Sequence, residues 1–258
     1  MRCIILAGGR GIRFSEETIN KPKPMIEIGG QPILFHIMNH FSKFGVNDFT
    51  ITLGYQGNII KDWLRNFEFN QNSFNINLNS KEITFLGNKT SKNWSVLALD
   101  TGLQSLTATR VKQAIENSSD ENFFVTYGDG LCDVDLNQLT KFHNEHKKLV
   151  TVTAVKPPAR FGHLELEGDR VLKFTEKSQS HEARINAGFF IFNRKILDYF
   201  SDYDEALESG PLTKIAEQDE MRAFVHNGFW QNMDTQRDRE LLESFWSNGK
   251  FFFDDVKS

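Results

Sequence analysis

A glycine-rich loop near the beginning of the chain has the residue types of a phosphate-binding site. Three of the four residues 8–11 are glycine, they follow a short apolar run, and the basic residues Arg13 and Lys23 come after them. Glycines let backbone N–H groups turn toward a polyphosphate and approach it closely, and basic side chains supply compensating charge. The loop lacks the glycines of G-x-G-x-x-G, because Arg10 and Arg13 stand in their place, and it lacks the G-K-[ST] of a Walker A loop. The segment therefore predicts a polyphosphate site of another kind, with a tight structural turn as the alternative.

Two aspartates, 105 positions apart, are candidates to hold a metal ion. Asp129 lies in a Gly-Asp-Gly tripeptide after an apolar run, and Asp234 lies in Met-Asp-Thr before an amphipathic segment. Mg²⁺ prefers oxygen ligands, commonly one or two carboxylates together with substrate phosphates and waters. On their own, the two residues could equally be a turn residue and a helix N-cap, so this pattern leaves both interpretations open.

The elements that would hold these residues alternate along the chain between strands and helices. Short apolar or alternating runs predict strands at residues 3–7, 49–53, 83–85, 96–99, 123–127, 150–155, 187–192 and 221–225. Helical spacing predicts helices at residues 32–44, 59–67, 108–116, 136–142, 212–216 and 235–246. This alternation indicates a doubly wound α/β sheet, which binds ligands at the carboxyl ends of its strands. The glycine loop and Asp129 each follow a predicted strand, so we expect both at that edge.

The second part of the chain has a different pattern. Beyond Pro157 and Pro158, predicted strands at residues 164–166 and 171–174 form a hairpin. The length of 258 residues corresponds to about 1.7 domains of about 150 residues. We therefore predict one domain, with residues 1–155 as a nucleotide-binding sheet core and residues 156–258 as a β-rich addition to it.

Composition and charge argue against several classes of protein. Hydrophobic residues make up 39% and charged residues 25%, which excludes a disordered chain, a collagen-like repeat and a linker. The net charge of −4 argues against a broad basic surface for nucleic acid. No apolar stretch approaches 18 residues, so no membrane span and no secretion signal are predicted. Cys3 and Cys132 give neither a disulfide framework nor a zinc-ligand spacing, so we expect a reducing, cytoplasmic location.

Motifs along nearly the whole chain resemble the sugar-1-phosphate nucleotidyltransferase family. The general signature is carried by residues 6–13 (LAGGRGIR), 21–25 (KPKPM) and 28–33 (IGGQPI). The segments similar to the glucose-1-phosphate cytidylyltransferase branch are residues 15–18 (SEET), 36–38 (HIM), 127–130 (YGDG), 160–162 (RFG) and 228–235 (GFWQNMDT). The resemblance implies a Rossmann-like mixed sheet flanked by helices, of the nucleotide-diphospho-sugar transferase type, with the β-rich addition on the acceptor side.

The resemblance also implies roles for particular residues. Arg13, Lys23 and Asp129 are expected to be catalytic, and Asp129 and Asp234 are expected to hold Mg²⁺ between the nucleotide and the sugar phosphate. The residues expected to bind the nucleotide are Leu6, Ala7, Gly8, Gly9, Arg10, Gly11, Ile12, Arg13, Lys23, Gly102, Thr107, Arg110, Tyr127 and Gly128. Those expected to bind the sugar phosphate are Glu176, Lys177, Asn186 and Gly188. By themselves, Glu176 and Lys177 could be a solvated strand end, and Asn186 a buried, hydrogen-bonded amide.

The implied reaction is attack of a sugar 1-phosphate on the α-phosphorus of a nucleoside triphosphate, which is CTP in this branch, with release of pyrophosphate. The resemblance further implies a homo-oligomer and a product, CDP-glucose, used for bacterial surface polysaccharide. Four departures from the family pattern lie in or beside the expected site, at Ile12, Ala108, Ser178 and Ala187. They leave open the same chemistry with another sugar or polyol phosphate, or with another nucleoside triphosphate. A non-catalytic nucleotide-sensing homologue is a further alternative, against which the intact lysine and aspartates argue.

Overall fold

The computed structural model describes residues 1–11, 20–87, 91–157, 163–167, 169–175 and 183–249. The strands in these ranges are β1 (Arg2–Leu6), β2 (Glu27–Ile28), β3 (Gln31–Pro32), β4 (Asp48–Leu53), β5 (Phe74–Ile76), β6 (Ile83–Phe85), β7 (Ser95–Asp100), β8 (Asn122–Tyr127), β9 (Gly130–Cys132), β10 (Val150–Val155), β11 (His163–Glu167), β12 (Arg170–Thr175), β13 (Ile185–Asn193), β14 (Met221–Val225) and β15 (Trp230–Asn232). The helices are α1 (Ile33–Lys43), α2 (Gly57–Arg65), α3 (Phe67–Gln71), α4 (Thr107–Glu116), α5 (Leu136–His146), α6 (Pro211–Glu217) and α7 (Gln236–Ser247). Single 3₁₀ segments cover Lys23–Met25 and Arg194–Tyr199.

A seven-stranded mixed sheet with the strand order β14-β10-β13-β8-β1-β4-β7 forms the centre of the protein. Strands β8, β1, β4 and β7 run parallel to one another, whereas β13 is antiparallel to both of its neighbours. The predicted α/β class and the mixed sheet are therefore confirmed. Strand β13 belongs to the second part of the chain yet lies between β10 and β8, so both parts contribute to one sheet. The division of roles at residue 155 stays a prediction.

Helices cover both faces of the sheet. Ile5 of β1 packs in the same hydrophobic cluster as Phe41 of α1, whereas the adjacent Ile4 packs with Val111 of α4 on the other face. Ile4 and Ile5 are both fully buried, as the continuous apolar run predicts for a strand between two helical layers. The loop that follows β1 therefore leaves the edge of a rigid, buried strand.

Local sequence signals agree with most of the helix boundaries. The side chain of Asp135 caps α5 as predicted, because it accepts hydrogen bonds from the N–H groups of Asn137 and Gln138. The predicted helix at residues 59–67 instead ends at Arg65, and the short helix α3 follows it. In the part of the chain that the structure describes, no helix combines the length and the apolar character needed to cross a membrane.

The sequence did not predict the two-stranded sheet of β9 and β15. These strands pair antiparallel, with Gly130 opposite Asn232, and the N–H of Met233 donates to the carbonyl of Asp129 at 2.8 Å. Each strand has three residues, which is too short to show an alternating pattern. Because of this pairing, Asp234, which follows β15, lies near Asp129 at the carboxyl end of β8.

Candidate active site

Two clefts meet at the carboxyl ends of β1 and β8. The first has a volume of about 360 Å³ and lies over the glycine loop. The second has a volume of about 280 Å³ and lies beside β13 and β15. Tyr127 and Asp129 border both clefts. Two separate ligands could therefore bind with their near ends on either side of Asp129.

The first cleft brings together most of the residues expected to bind a nucleotide. Those that line it are Leu6, Ala7, Gly8, Gly9, Gly11, Lys23, Thr107, Arg110, Tyr127 and Gly128. Arg10 is exposed and does not line this cleft, and neither does Gly102. The predicted residues Ile12 and Arg13 lie outside the described residues. The nucleotide contacts themselves stay predictions, but their residues share one cavity.

Lys23 joins the two aspartates that the sequence proposes as metal ligands. Its Nζ lies 2.7 Å from Oδ2 of Asp129 and 2.6 Å from Oδ1 of Asp234. Burial acts to lower the pKa of the Lys23 ammonium, but the charges and hydrogen bonds of Asp129 and Asp234 outweigh burial. The pKa is therefore raised, and Lys23 is a permanent cation between two carboxylates.

The backbone around Lys23 is held in place by prolines and by a close glycine. Lys23 stands between Pro22 and Pro24 at the start of a 3₁₀ segment, and proline fixes the φ angle. A β-carbon at Gly128 would lie 2.9 Å from both Pro24 Cγ and the carbonyl oxygen of Leu6. Only glycine at position 128 lets β8, β1 and this proline segment approach so closely.

Asp234 is positioned by its neighbours on β15 and α7. Its second carboxylate oxygen accepts a short hydrogen bond from the amide of Asn232. Its N–H donates to the carboxylate of Asp238 at 3.1 Å, which also accepts from the N–H of Thr235 at 3.0 Å. Asp238 and Thr235 together form the capping box of α7. The helix cap that the sequence offered as an alternative role for Asp234 is in fact made by Thr235.

A contact between His226 and Asp133 lies at the far end of the β9–β15 pair. His226 Nε2 lies 2.6 Å from Oδ1 of Asp133, and both side chains are mostly buried. A β-carbon at Gly228 would lie 2.4 Å from the same oxygen. Gly228 therefore packs directly against Asp133. This contact holds β9 and β15 together at the end opposite to Asp129 and Asp234.

Tyr127 forms the wall between the two clefts. Its hydroxyl donates a short hydrogen bond to Glu208, which lines the first cleft and was not identified from the sequence. Burial and the contact with Glu208 raise the pKa of Tyr127, so the hydroxyl stays protonated. Gly188 has φ +79° and lies against the tyrosine ring, since a β-carbon there would be 2.4 Å from Cδ2 of Tyr127. Glycine is therefore required at position 188 to leave room for the ring.

Arg110 is buried beneath the glycine loop and fixes its shape. Its guanidinium donates to the carbonyl of Leu53 at 2.9 Å, to the hydroxyl of Thr101 at 2.5 Å and to the carbonyl of Gly8 at 3.1 Å. The side chain is 4% exposed. The guanidinium therefore donates to three oxygens of the protein itself, and its role as a nucleotide contact stays a prediction.

The second cleft contains part of the predicted sugar-phosphate set. Asn186 and Gly188 line it together with Ala187, Asn232 and Asp234. The amide oxygen of Asn186 accepts the N–H of Gly188 at 2.7 Å, which keeps the turn around Gly188 in place. Glu176 and Lys177, the other two predicted residues, lie outside the described residues.

The donor set at Asp129 and Asp234 fits a divalent metal ion. One carboxylate oxygen from each residue already points at a shared cation, the Lys23 ammonium. Hard oxygen ligands of this type suit Mg²⁺, which commonly takes one or two protein carboxylates and completes its shell with water and substrate phosphate. The adjoining clefts leave space for such phosphate ligands.

Comparison with known proteins places the chain in a family of nucleotide-transferring enzymes. Residues 2–238 match the family described as nucleotidyl transferase. The glucose-1-phosphate cytidylyltransferase of Salmonella typhi is 44% identical over 253 residues, which cover 97% of each chain. The crystal structure of HddC from Yersinia pseudotuberculosis complexed with GMP-PN has a TM-score of 0.66 at 20% identity and covers 95% of this chain and 99% of its own. The inositol-1-phosphate CTP transferase from T. maritima has a TM-score of 0.63 at 16% identity, with coverage of 95% and 96%. These two structures confirm the fold.

Proposed function

This chain belongs to the nucleotidyl transferase family, and on that premise we propose that it is a glucose-1-phosphate cytidylyltransferase. It would convert CTP and α-D-glucose 1-phosphate to CDP-glucose and pyrophosphate. The observation that carries the proposal is the 44% identity to the Salmonella typhi enzyme over 97% of both chains. The two clefts that meet at Asp129 support it, because the reaction needs two phosphorylated substrates side by side.

The proposed mechanism depends on alignment and charge. An oxygen of the sugar phosphate attacks the α-phosphorus of CTP, and the bond from that phosphorus to the bridging oxygen of pyrophosphate breaks. A phosphate monoester dianion is already a nucleophile, so neither a covalent intermediate nor a strong general base is required. The protein must instead hold two mutually repelling anions in line.

We assign the first cleft to CTP and the second to glucose 1-phosphate. Glycines 8, 9 and 11 and Lys23 line the first cleft, and backbone N–H groups of a glycine loop together with a lysine suit a polyphosphate. In the second, Asn186 offers an amide beside the backbone turn at Gly188. Asp129 lies at the junction, where the reacting phosphates would meet. The roles proposed for Arg13, Glu176 and Lys177 rest on the family resemblance alone.

We propose Mg²⁺ as the cofactor, held by Asp129 and Asp234. When bound, this ion supplies positive charge that stabilises the α-phosphate and the leaving pyrophosphate. Lys23 adds a second positive charge beside the phosphates, and Asn232 and Asp238 keep Asp234 in position. We further propose that the enzyme is a homo-oligomer of the cytoplasm and that its product serves surface-polysaccharide synthesis.

The test is pyrophosphate release measured with four nucleoside triphosphates and a panel of sugar and polyol phosphates. We expect the highest kcat/KM with CTP and glucose 1-phosphate, and loss of activity when EDTA removes Mg²⁺. Asp129→Asn should lower kcat at least about 10²-fold while leaving the circular dichroism spectrum unchanged. A higher kcat/KM with another acceptor would assign the same chemistry to that acceptor. Ala187, which lines the second cleft, would then be a structural reason for the different choice of acceptor. Binding without turnover across the whole panel would instead support a nucleotide sensor.

A further inference from the structure

We propose that Lys23 is a built-in competitor for the metal ion, so that Mg²⁺ and the nucleotide bind this protein cooperatively. The inference rests on the proposed function, because it assumes that Asp129 and Asp234 hold the metal. It concerns what the lysine does before either ligand has bound. The ammonium then occupies the place between the carboxylates, and it leaves more readily when a polyphosphate offers it a new partner.

The first step of the argument is that the ammonium and the ion cannot occupy the site together. Nζ of Lys23 lies 2.7 Å from an oxygen of Asp129 and 2.6 Å from an oxygen of Asp234. Mg²⁺ requires its ligand oxygens at about 2.0–2.1 Å. An ion placed between the same two oxygens, where the ammonium lies, would overlap the nitrogen. Metal binding therefore has to break both ion pairs of the lysine.

The second step concerns the cost of moving the ammonium. The Lys23 side chain is 11% exposed, and a charged group that loses its partners at such a position is strongly disfavoured. Besides Asp129, the acidic residue in the described lining of the first cleft is Glu208, whose carboxylate already accepts hydrogen bonds from the hydroxyl groups of Tyr127 and Thr107. With a nucleoside triphosphate present, the polyphosphate provides the displaced ammonium with an anionic partner. Displacement by the metal therefore costs much less when the nucleotide is bound.

The third step is that the side chain can make this movement while the backbone stays in place. Pro22 and Pro24 fix the chain on both sides of Lys23, whereas the four-carbon stem of lysine has several rotatable bonds. Lys23 already lines the first cleft but not the second. Rotation of the stem would carry Nζ from the aspartates toward the space proposed for the phosphates.

The test is the affinity of the full-length protein for Mg²⁺, measured by isothermal titration calorimetry. Titrations are made with Mg²⁺ alone and with Mg²⁺ in the presence of the non-reacting analogue α,β-methylene CTP. Lys23→Met should bind Mg²⁺ alone about tenfold more tightly than the wild type, which lies within the usual range of coupling between sites. In the presence of the analogue, which pairs with the displaced ammonium, the two proteins should bind Mg²⁺ about equally. The gain in Mg²⁺ affinity caused by the analogue should therefore be about tenfold smaller in Lys23→Met than in the wild type.

Lys21→Met is the matched control. Lys21 is two residues away and carries the same charge, but its Nζ pairs with Glu27 at 2.9 Å and its side chain is about half exposed. Its substitution should change the Mg²⁺ affinity by less than about twofold, because an exposed pair contributes little and is well screened. An equal tightening in Lys21→Met would show a general charge effect and would overturn the inference.

A second variant keeps the test decisive if Lys23→Met folds poorly. Lys23→Arg retains the positive charge and can bond both carboxylates through its forked donors, so it should bind Mg²⁺ alone no more tightly than the wild type. Affinity for Mg²⁺ alone that is the same in Lys23→Met and in the wild type would overturn the competition while leaving the proposed function intact. No Mg²⁺ binding to any variant, even with the analogue, would overturn the metal assignment itself.

Discussion

Replacement of Asp238 by alanine tests whether the cap of α7 also positions the metal ligand Asp234. The Asp238 carboxylate accepts from the N–H groups of Asp234 and Thr235 at 3.1 and 3.0 Å, from the Thr235 hydroxyl at 2.9 Å and from the side-chain amide of Gln231 at 3.2 Å. The residue is 9% exposed, so water would reach the abandoned donors poorly. Alanine would therefore leave two backbone donors without a good partner beside the active site.

The expected loss of stability follows from these bonds. Loss of a capping residue costs about 1 kcal/mol, and each backbone N–H left buried without a partner costs about 1–3 kcal/mol. Partial rehydration at the rim of the site lowers the sum, so we expect Asp238→Ala to reduce the free energy of unfolding by about 2–4 kcal/mol. Urea denaturation followed by circular dichroism measures this change.

The functional effect should exceed that of losing the cap alone. Groups that orient metal ligands typically change metal affinity or activity by about 10–100-fold when they are replaced, and we expect kcat for pyrophosphate release to fall by that factor. Thr235→Ala is the matched control, because it removes the capping side chain but leaves the bond from the N–H of Asp234 to Asp238. It should cost about 1 kcal/mol of stability and keep kcat within about threefold. Equal kcat values for the two variants would refute the positioning role of Asp238.

Three further predictions concern other parts of the structure. Gly188→Ala should lower the free energy of unfolding by about 1–3 kcal/mol, because alanine is strained at φ +79°. It should also raise KM for both substrates, because the new methyl group displaces the ring of Tyr127. Wild-type KM values would contradict the position of that ring between the two clefts. Burial lowers the pKa values of His36 and His40 to about 4, so the unfolded chain, with histidine pKa values near 6.5, binds protons first on acidification. The free energy of unfolding should therefore fall as the pH drops from about 6.5 toward 4, by about 1 kcal/mol per histidine at pH 5.5. Urea unfolding at pH 7.5 and 5.5 measures this fall, which should be smaller for His40→Gln than for the wild type. Arg110→Lys should raise KM for CTP more than it lowers kcat, because the carbonyl of Gly8 keeps only the N–H of Tyr55 as a donor and the loop shifts. A change in kcat alone would indicate a different role for Arg110.

Several local features of this protein could be predicted from sequence because they depend on neighbours along the chain. The apolar run of β1 predicted a strand buried on both faces, and the residues of β10 and β14 were predicted with the observed bounds. Asp135 was recognised as a helix cap from its position before an apolar periodic segment. These signals are local because hydrophobic periodicity and capping depend on residues within one or two turns.

The candidate site was predicted as a set of residues but not as an arrangement. Residue types and family motifs identified Lys23, Asp129 and Asp234, whereas Glu208 and Asp238 gave no recognisable signal. Glu208 lies on a loop and reaches Tyr127 only through the packing of that loop against α4. Asp238 resembles any acidic residue in the first turn of a helix until its contact with Asp234 is seen.

The sequence by itself determined the seven strands of the central sheet, the longer helices, the place of the glycine loop and the carboxylates that could bind a metal. Only the tertiary structure decided that Lys23 bridges Asp129 and Asp234, that Tyr127 separates two clefts, and that Arg110 holds the loop from below. The physical reason is that the contacts of Lys23 with the aspartates and of Arg110 with Gly8 join residues 102 to 211 positions apart. The order of strands in the sheet and the three-residue strands β9 and β15 create these contacts, and neither produces a periodic pattern in the sequence.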